Sequence, residues 1–139
     1  MDETQLESRF VGPLLTAVYQ TNVQVEVAGN QRGLSLLADA LASNQRSVLE
    51  LAQPAQVEPW DGSLSGIEIL PASGKVLVSR VDRILKIGGD PGGLAVLGDS
   101  VRNLAAGELG PHIHEEYYAG HPFFDPDTMP LILALGEEQ

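Results

Sequence analysis

Two segments of the chain share the same order of hydrophobic and polar positions. The first, VEVAGNQRGLSLLADAL, begins at Val25, and the second, LKIGGDPGGLAVLGDSV, begins 60 residues later at Leu85. Each opens with alternating apolar positions, which are typical of a half-buried strand, and continues with apolar residues at helical spacing. Because the two segments align without a gap, the pattern predicts an internal repeat.

Both predicted helices carry a start signal. Asn30 and Asp90 follow Gly29 and Gly89, and their side-chain oxygens can accept a hydrogen bond from a free backbone N–H in the first turn. Pro91 stands at the first helical position, where the N–H that proline lacks has no helical partner. The apolar positions of these helices should face the core, namely Leu34, Leu37, Leu41, Leu94, Leu97 and Val101.

Two further strands are predicted after each helix. In the first copy these are Ser65–Leu70 and Lys75–Val81, which the turn sequence PASG should join as a hairpin. In the second copy they are His112–Tyr118 and Leu131–Leu135. The pattern therefore predicts an α+β fold of duplicated β-α-β-β units. We expect about six strands in a mostly antiparallel sheet, with the helices packed on one face.

The 139 residues have a length typical of a single domain. We divide this domain into an N-terminal extension at 1–20, a first repeat at about 21–81 and a second repeat at about 82–139. In the extension, apolar residues at positions 6, 10, 14, 15 and 18 predict a helix that the Gly-Pro pair at 12–13 should start, break or kink.

Composition narrows the functional classes. The chain is 43% hydrophobic but only 5% aromatic, so aliphatic side chains must build the core. It has no cysteine, which excludes disulfides and thiolate metal sites. The acidic beginning MDETQLESRF does not resemble a secretory signal, and no apolar run reaches the ~18 residues of a membrane helix. We therefore expect a cytoplasmic protein.

The formal net charge of −11 argues against binding to nucleic acid or to an anionic membrane. Seven of the acidic residues lie between Leu104 and Gln139, a stretch with no Lys or Arg. The charge could simply keep the protein soluble, or it could attract a basic protein partner. Charge alone leaves both possibilities open.

All three histidines fall in the segment PHIHEEYYAGHPFFDPD. His112 and His114 should share one face of a strand. With His121 they could bind a divalent transition metal such as zinc. Acid–base catalysis is a weaker alternative, because no plausible nucleophile accompanies them. We favour a non-catalytic partner-binding surface, made of His112, His114, Glu115, Glu116, Tyr117, Tyr118, His121, Phe124, Asp125 and Asp127.

Three pieces of the second copy resemble immunity protein family 32, a family of small proteins from bacterial polymorphic toxin systems. The pieces are GGDPGGLAVLGDSV from Gly88, HIHEEYYAGHPFF from His112 and MPLILAL from Met129. The first copy lacks the His-Tyr signature, since its corresponding strand reads SGIEIL. The resemblance covers under half of the chain.

The resemblance implies a protein that binds and neutralises a cognate toxin without catalysis or a cofactor. Nuclease toxins carry basic clefts, so an acidic inhibitor would be steered toward them. The implied partner is therefore a basic protein toxin, for example a nuclease. The alternative from the residues, a small metal-binding protein or metal-dependent enzyme, stays open at this point.

Overall fold

The computed structural model describes residues 7–10, 14–54, 56–107 and 110–136, which form an α+β fold of two helices and two mostly antiparallel sheets. The helices are α1 (Gln31–Ala42) and α2 (Pro91–Ala105). The strands in this part of the chain are β1 (Glu7–Phe10), β2 (Leu15–Gln20), β3 (Gln24–Gly29), β4 (Ser47–Glu50), β5 (Gly62–Ser63), β6 (Gly66–Pro71), β7 (Leu77–Val81), β8 (Ile84–Gly89), β9 (His112–Glu115) and β10 (Leu131–Leu135).

Each helix begins at the predicted cap. The Gly33 N–H donates to Asn30 Oδ1 at 2.8 Å, and the Gly93 N–H donates to Asp90 Oδ1 at 2.7 Å. Pro91 occupies the first turn of α2. The six leucine and valine positions predicted for the core are all buried, which confirms the orientation of both helices.

The strands form two five-stranded sheets with a shared arrangement. Sheet 1 has the order β1-β4-β6-β8-β7, and sheet 2 has the order β5-β2-β3-β10-β9. Their central pairs, β6 with β8 and β10 with β3, are both parallel. On either side of each central pair, the neighbouring strand is antiparallel. The sheets therefore match strand for strand, with β4 corresponding to β9, β6 to β10, β8 to β3 and β7 to β2.

We call β2-β3-α1-β4-β6 the first unit and β7-β8-α2-β9-β10 the second unit. Each sheet combines the first two strands of one unit with the last two strands of the other. The strand pairings fix the equivalences: Ile69 pairs with Ile87 in sheet 1, and Leu133 pairs with Val27 in sheet 2. Exchange of strands between the units means that neither unit could complete a sheet alone.

The two helices pack against each other and against the inner faces of both sheets. A Cβ at Gly98 of α2 would lie 3.3 Å from the Ala38 carbonyl oxygen of α1, so the helix backbones approach closely there. The edge strand β7 of sheet 1 also contacts sheet 2, because the Arg80 guanidinium of β7 stacks 3.9 Å from the Tyr19 ring centroid of β2. No helix in the described part of the chain is long and apolar enough to cross a membrane.

Two predictions about local structure were wrong, and two short strands were missed. Residues 15–20, expected within an N-terminal helix, form β2, where Leu15 and Ala17 alternate into the core. Ser65–Leu70 and Lys75–Val81 do form strands, but β8 lies between them, so they make no hairpin. The strands at 47–50 and 62–63 were not predicted, because each is only a few residues long. In the described part of the chain, β1 precedes β2 and, like β5, belongs to neither unit.

Candidate functional site

The strand that carries His112 and His114 lies at one edge of sheet 2. The side chains of β9 alternate between the two faces of the sheet. Ile113 and Glu115 pair with Leu133 and Leu131 and point with them to the inner face, where both are half-buried. His112 and His114 are exposed on the outer face, with their ring centroids 5.3 Å apart.

On the outer face, the two histidines border a shallow depression of about 370 Å³. In the register of the sheet, His114 lies beside Ile132 of β10, which in turn lies beside Glu26 of β3. The depression has one acidic side chain and no Lys or Arg. Its lining residues are Glu26, Pro111, His112, His114, Ile132, Ala134 and Leu135.

The same face of sheet 1 has a different charge pattern. There Glu68 stands in the place of Ile132, and it accepts hydrogen bonds from Arg46 at 2.5 and 2.9 Å. The Lys86 ammonium of β8 lies 3.7 Å from the other carboxylate oxygen of Glu68. The five strands of sheet 2 contain no Lys or Arg at all. On sheet 1, Arg46 and Lys86 therefore neutralise Glu68. On the matching face of sheet 2, the strands offer no such cation to Glu26.

The segment after β9 folds back onto the edge of sheet 1. The Val76 N–H donates to the Phe123 carbonyl, and the Asp125 N–H donates to the Val76 carbonyl, both at 2.8 Å. The Val78 N–H donates to the Thr128 hydroxyl oxygen at 2.8 Å. These bonds hold the segment against sheet 1. The fold therefore determines the positions of its aromatic residues.

His121 organises this segment and is itself buried. Its Nδ1 accepts hydrogen bonds from the backbone N–H groups of Phe123 and Phe124, at 3.1 and 3.0 Å. Burial lowers the pKa of the imidazole, and the positive charge of Lys75 lowers the pKa further. Because the ring is neutral at pH 7, its unprotonated nitrogen remains an acceptor for both amides.

A metal site made of the three histidines would require their side chains to converge on one point. His121 uses Nδ1 within its own loop, while His112 and His114 lie on the outer face of sheet 2. Residues 7–10, 14–54, 56–107 and 110–136 contain no group of three or more His, Cys, Asp or Glu side chains that could hold a metal ion. The convergence that this alternative requires is therefore absent from the described residues.

The predicted partner-binding residues divide by exposure. Phe124 is 0% exposed and fills the core, so this candidate anchor is not on the surface, and His121 is 7% exposed. Tyr118, in contrast, is 60% exposed. Those that a partner could contact without a change of structure are His112, His114, Glu116, Tyr118 and Asp127, with Glu115, Tyr117 and Asp125 half-buried.

Sequence reasoning did not include Glu26 in the site. The alternation in NVQVEV does place Glu26 on the face opposite the buried Val25 and Val27, so its place on the outer face was readable. Its position two strands from His114 was not readable, because that depends on the parallel pairing of β3 with β10 across more than 100 residues of chain.

Residues 84–136 match the family model described as immunity protein 32. The match runs from the first residue of β8 through α2 and β9 to the residue after β10. It confirms the resemblance seen in the sequence and includes every exposed candidate residue, whereas the half-buried Glu26 lies outside it. No curated protein matches the chain.

Proposed function

We propose that this chain is an immunity protein that binds and neutralises a cognate bacterial toxin. The observation that carries the proposal is the match of residues 84–136 to immunity protein 32. Those residues supply α2, the exposed edge strand β9 and the segment that follows it. The proposal places the toxin-binding surface on strand β9 of sheet 2 and on the segment that follows it, with His112, His114, Glu116, Tyr118 and Asp127 as its accessible side chains.

The charge distribution supports a basic partner. The chain has a net charge of −11, and the strands of sheet 2 lack Lys and Arg. An acidic surface without counter-charges attracts a basic protein over about a Debye length and speeds their association. A toxin with a basic cleft, as in a nuclease, fits this requirement. Such a protein would act in the cytoplasm of the cell that makes the toxin.

The burial and hydrogen bonding of His121, and the open surroundings of His112 and His114, favour binding over catalysis. His121, the histidine with a shifted pKa, is buried and holds two backbone amides. His112 and His114 lie on an open face beside a shallow depression, where water is not excluded. Surfaces of this kind suit a protein contact, in which Tyr118 would be the large exposed aromatic side chain.

The proposal is tested by co-expression with the product of the neighbouring gene, the candidate toxin. We expect the wild-type chain to restore growth and to co-purify with the toxin. Tyr118→Ala should weaken the complex by roughly 2 kcal/mol or more if Tyr118 is an interface hot spot. Glu116→Lys with Asp127→Lys should slow association and reduce its dependence on salt.

Asp99→Lys provides the matched control, since Asp99 is an exposed acid on α2, away from sheet 2. It changes the net charge by the same amount as either charge reversal alone but should leave protection intact. Growth that is not restored by the wild-type chain, together with no detectable complex, would contradict the proposed function.

A further inference from the structure

We propose that the outer edge of β9 receives an extended, Lys- or Arg-bearing segment of the toxin, which adds to sheet 2 as a strand parallel to β9. This inference rests on the proposed function and specifies how the partner is held. It is argued from the backbone of β9, from the matching edge of sheet 1 and from the side chain of Glu115.

The backbone of β9 has one side available for pairing. The Leu135 N–H donates to the Pro111 carbonyl at 2.7 Å, so residues 111, 113 and 115 turn their backbone groups toward β10. The N–H and C=O groups of His112 and His114 therefore point away from β10. In the part of the chain that the structure describes, no strand or backbone hydrogen bond occupies that side.

The matching edge of sheet 1 shows what such a site accepts. Strand β4 corresponds to β9, and its outer side is covered by β1, which runs parallel to it. Ser8 of β1 aligns with Val48 of β4, and Val48 is the equivalent of His114. A four-residue parallel strand is thus the occupant of this edge in one sheet. Addition of a peptide strand to an exposed edge is also a common mode of protein recognition.

The side chain of Glu115 determines which strand can bind. Glu115 points to the inner face at the position where the first unit has Leu49. Inward-pointing charges on edge strands oppose the addition of another strand, because covering them removes a charge from water. No described residue forms an ion pair or hydrogen bond with the Glu115 carboxylate. A strand that supplies a Lys or Arg beside Glu115 would offset that cost.

This requirement disfavours a second copy of the same chain. Strand β9 of another copy would bring its own Glu115, followed by Glu116, and no Lys or Arg. Two chains of charge −11 also repel each other. A basic toxin segment satisfies both the open backbone groups and the carboxylate. Glu26 on the same sheet, for which the described residues show no ion pair, adds to the attraction.

Amide hydrogen exchange, measured by NMR on the full chain with and without the purified toxin encoded next to this gene, tests the proposal. Exchange at His112 and His114 should slow by about tenfold or more in the complex, because both amides would then be hydrogen-bonded. In the free protein these two amides should exchange faster than those of Ile113 and Glu115. Slowed exchange that depends on the concentration of the chain alone would show that a second copy occupies the edge, and would overturn the proposal.

Two substitutions separate the backbone contribution from the charge. His114→Pro removes an N–H that points to the open edge and leaves the bonds to β10 in place, a position that proline tolerates in edge strands. It should weaken toxin binding by about tenfold. Glu115→Leu, which copies Leu49, should weaken binding to the basic segment without harming the fold. Asp99→Asn is the control of equal charge and should bind as the wild type does.

The outcomes distinguish this inference from the proposed function. If the wild-type chain binds the toxin but exchange at His112 and His114 is unchanged and Glu115→Leu binds normally, the edge is not the docking site, although the immunity function stands. If the wild-type chain does not bind the toxin at all, the proposed function itself fails. Circular dichroism and thermal unfolding establish that His114→Pro is folded, and the exchange measurement on the wild type does not depend on any variant.

Discussion

Leu49 and Glu115 occupy equivalent positions at the outer strands of the two sheets. Leu49 pairs with Ile67 and is 4% exposed, whereas Glu115 pairs with Leu131 and is half-buried. Both side chains point toward the helices. A carboxylate in the place of a leucine loses part of its hydration, and this burial raises the pKa of Glu115 above its ordinary value of 4.5.

The raised pKa predicts that Glu115 lowers stability at neutral pH. Between pH 4.5 and the raised value, the folded state binds more protons at this site than the unfolded state does, so its contribution to stability falls as pH rises through this window. Glu115→Gln should therefore be more stable than the wild type at pH 7, and the difference should vanish below about pH 4.5. Urea unfolding at both pH values measures it. The exposed neighbour substitution Glu116→Gln should change stability by less than about 0.5 kcal/mol at either pH.

Phe124 and Tyr118 should respond differently to truncation. Phe124 is fully buried beneath the loop that His121 organises, so Phe124→Ala should lower the free energy of unfolding by about 3–5 kcal/mol. Tyr118 is mostly exposed, so Tyr118→Ala should change it by less than about 0.5 kcal/mol while weakening toxin binding. Chemical denaturation of both variants is the measurement. Equal losses of stability would mean that Tyr118 packs in the core.

The glycine in the first turn of α1 is required by close packing. A Cβ at Gly33 would lie 2.1 Å from the Leu14 carbonyl oxygen, a backbone atom that cannot move without shifting β2. Gly33→Ala should therefore destabilise the protein by about 1–3 kcal/mol, although alanine is intrinsically the better helix former. Thermal unfolding tests this expectation. A variant as stable as the wild type would show that the strand and helix can separate at this point.

The helix caps make matched contributions in the two units. Asn30→Ala and Asp90→Ala each leave the N–H of Gly33 or Gly93 without its side-chain acceptor. Each substitution should cost about 0.5–2 kcal/mol, and Ser at either position should restore most of the loss, because its hydroxyl oxygen can accept the same bond. The denaturant midpoints of the four variants measure these changes in stability. If neither Ser variant restores stability, the Ala variants lose something other than the capping hydrogen bond.

The geometry of the candidate site was only partly predictable. The alternation of HIHE correctly placed His112 and His114 on one face, since period-2 alternation is a local property of an extended strand. The same local view treated Phe124 as an exposed anchor, when it is in the core. The segment after β9 contains both exposed and buried aromatic residues, and the hydrogen bonds between Val76 and Phe123 and Asp125 decide which is which.

The sequence by itself determined the parts of the fold that depend on neighbouring residues. The caps at Asn30 and Asp90, the buried stripes of α1 and α2 and the strand at Leu131–Leu135 follow from short-range hydrogen bonding and from hydrophobic spacing within one element. The acidic character and the family resemblance of residues 84–136 were likewise readable from residue order alone.

Only the tertiary structure decided how the units exchange strands, where β2 and β4 lie, and that β9 is the outermost strand of sheet 2. The apolar positions at 6, 10, 14, 15 and 18 suit a helix, but residues 15–20 gain more by pairing with β3 and burying Leu15 and Ala17. Strand order depends on contacts between residues far apart in the chain, such as Leu133 with Val27, and no local pattern encodes them. The strand of Leu49 pairs with β1, whereas the strand of Glu115 has no outer neighbour among the described residues. This contrast exists only once both sheets are assembled.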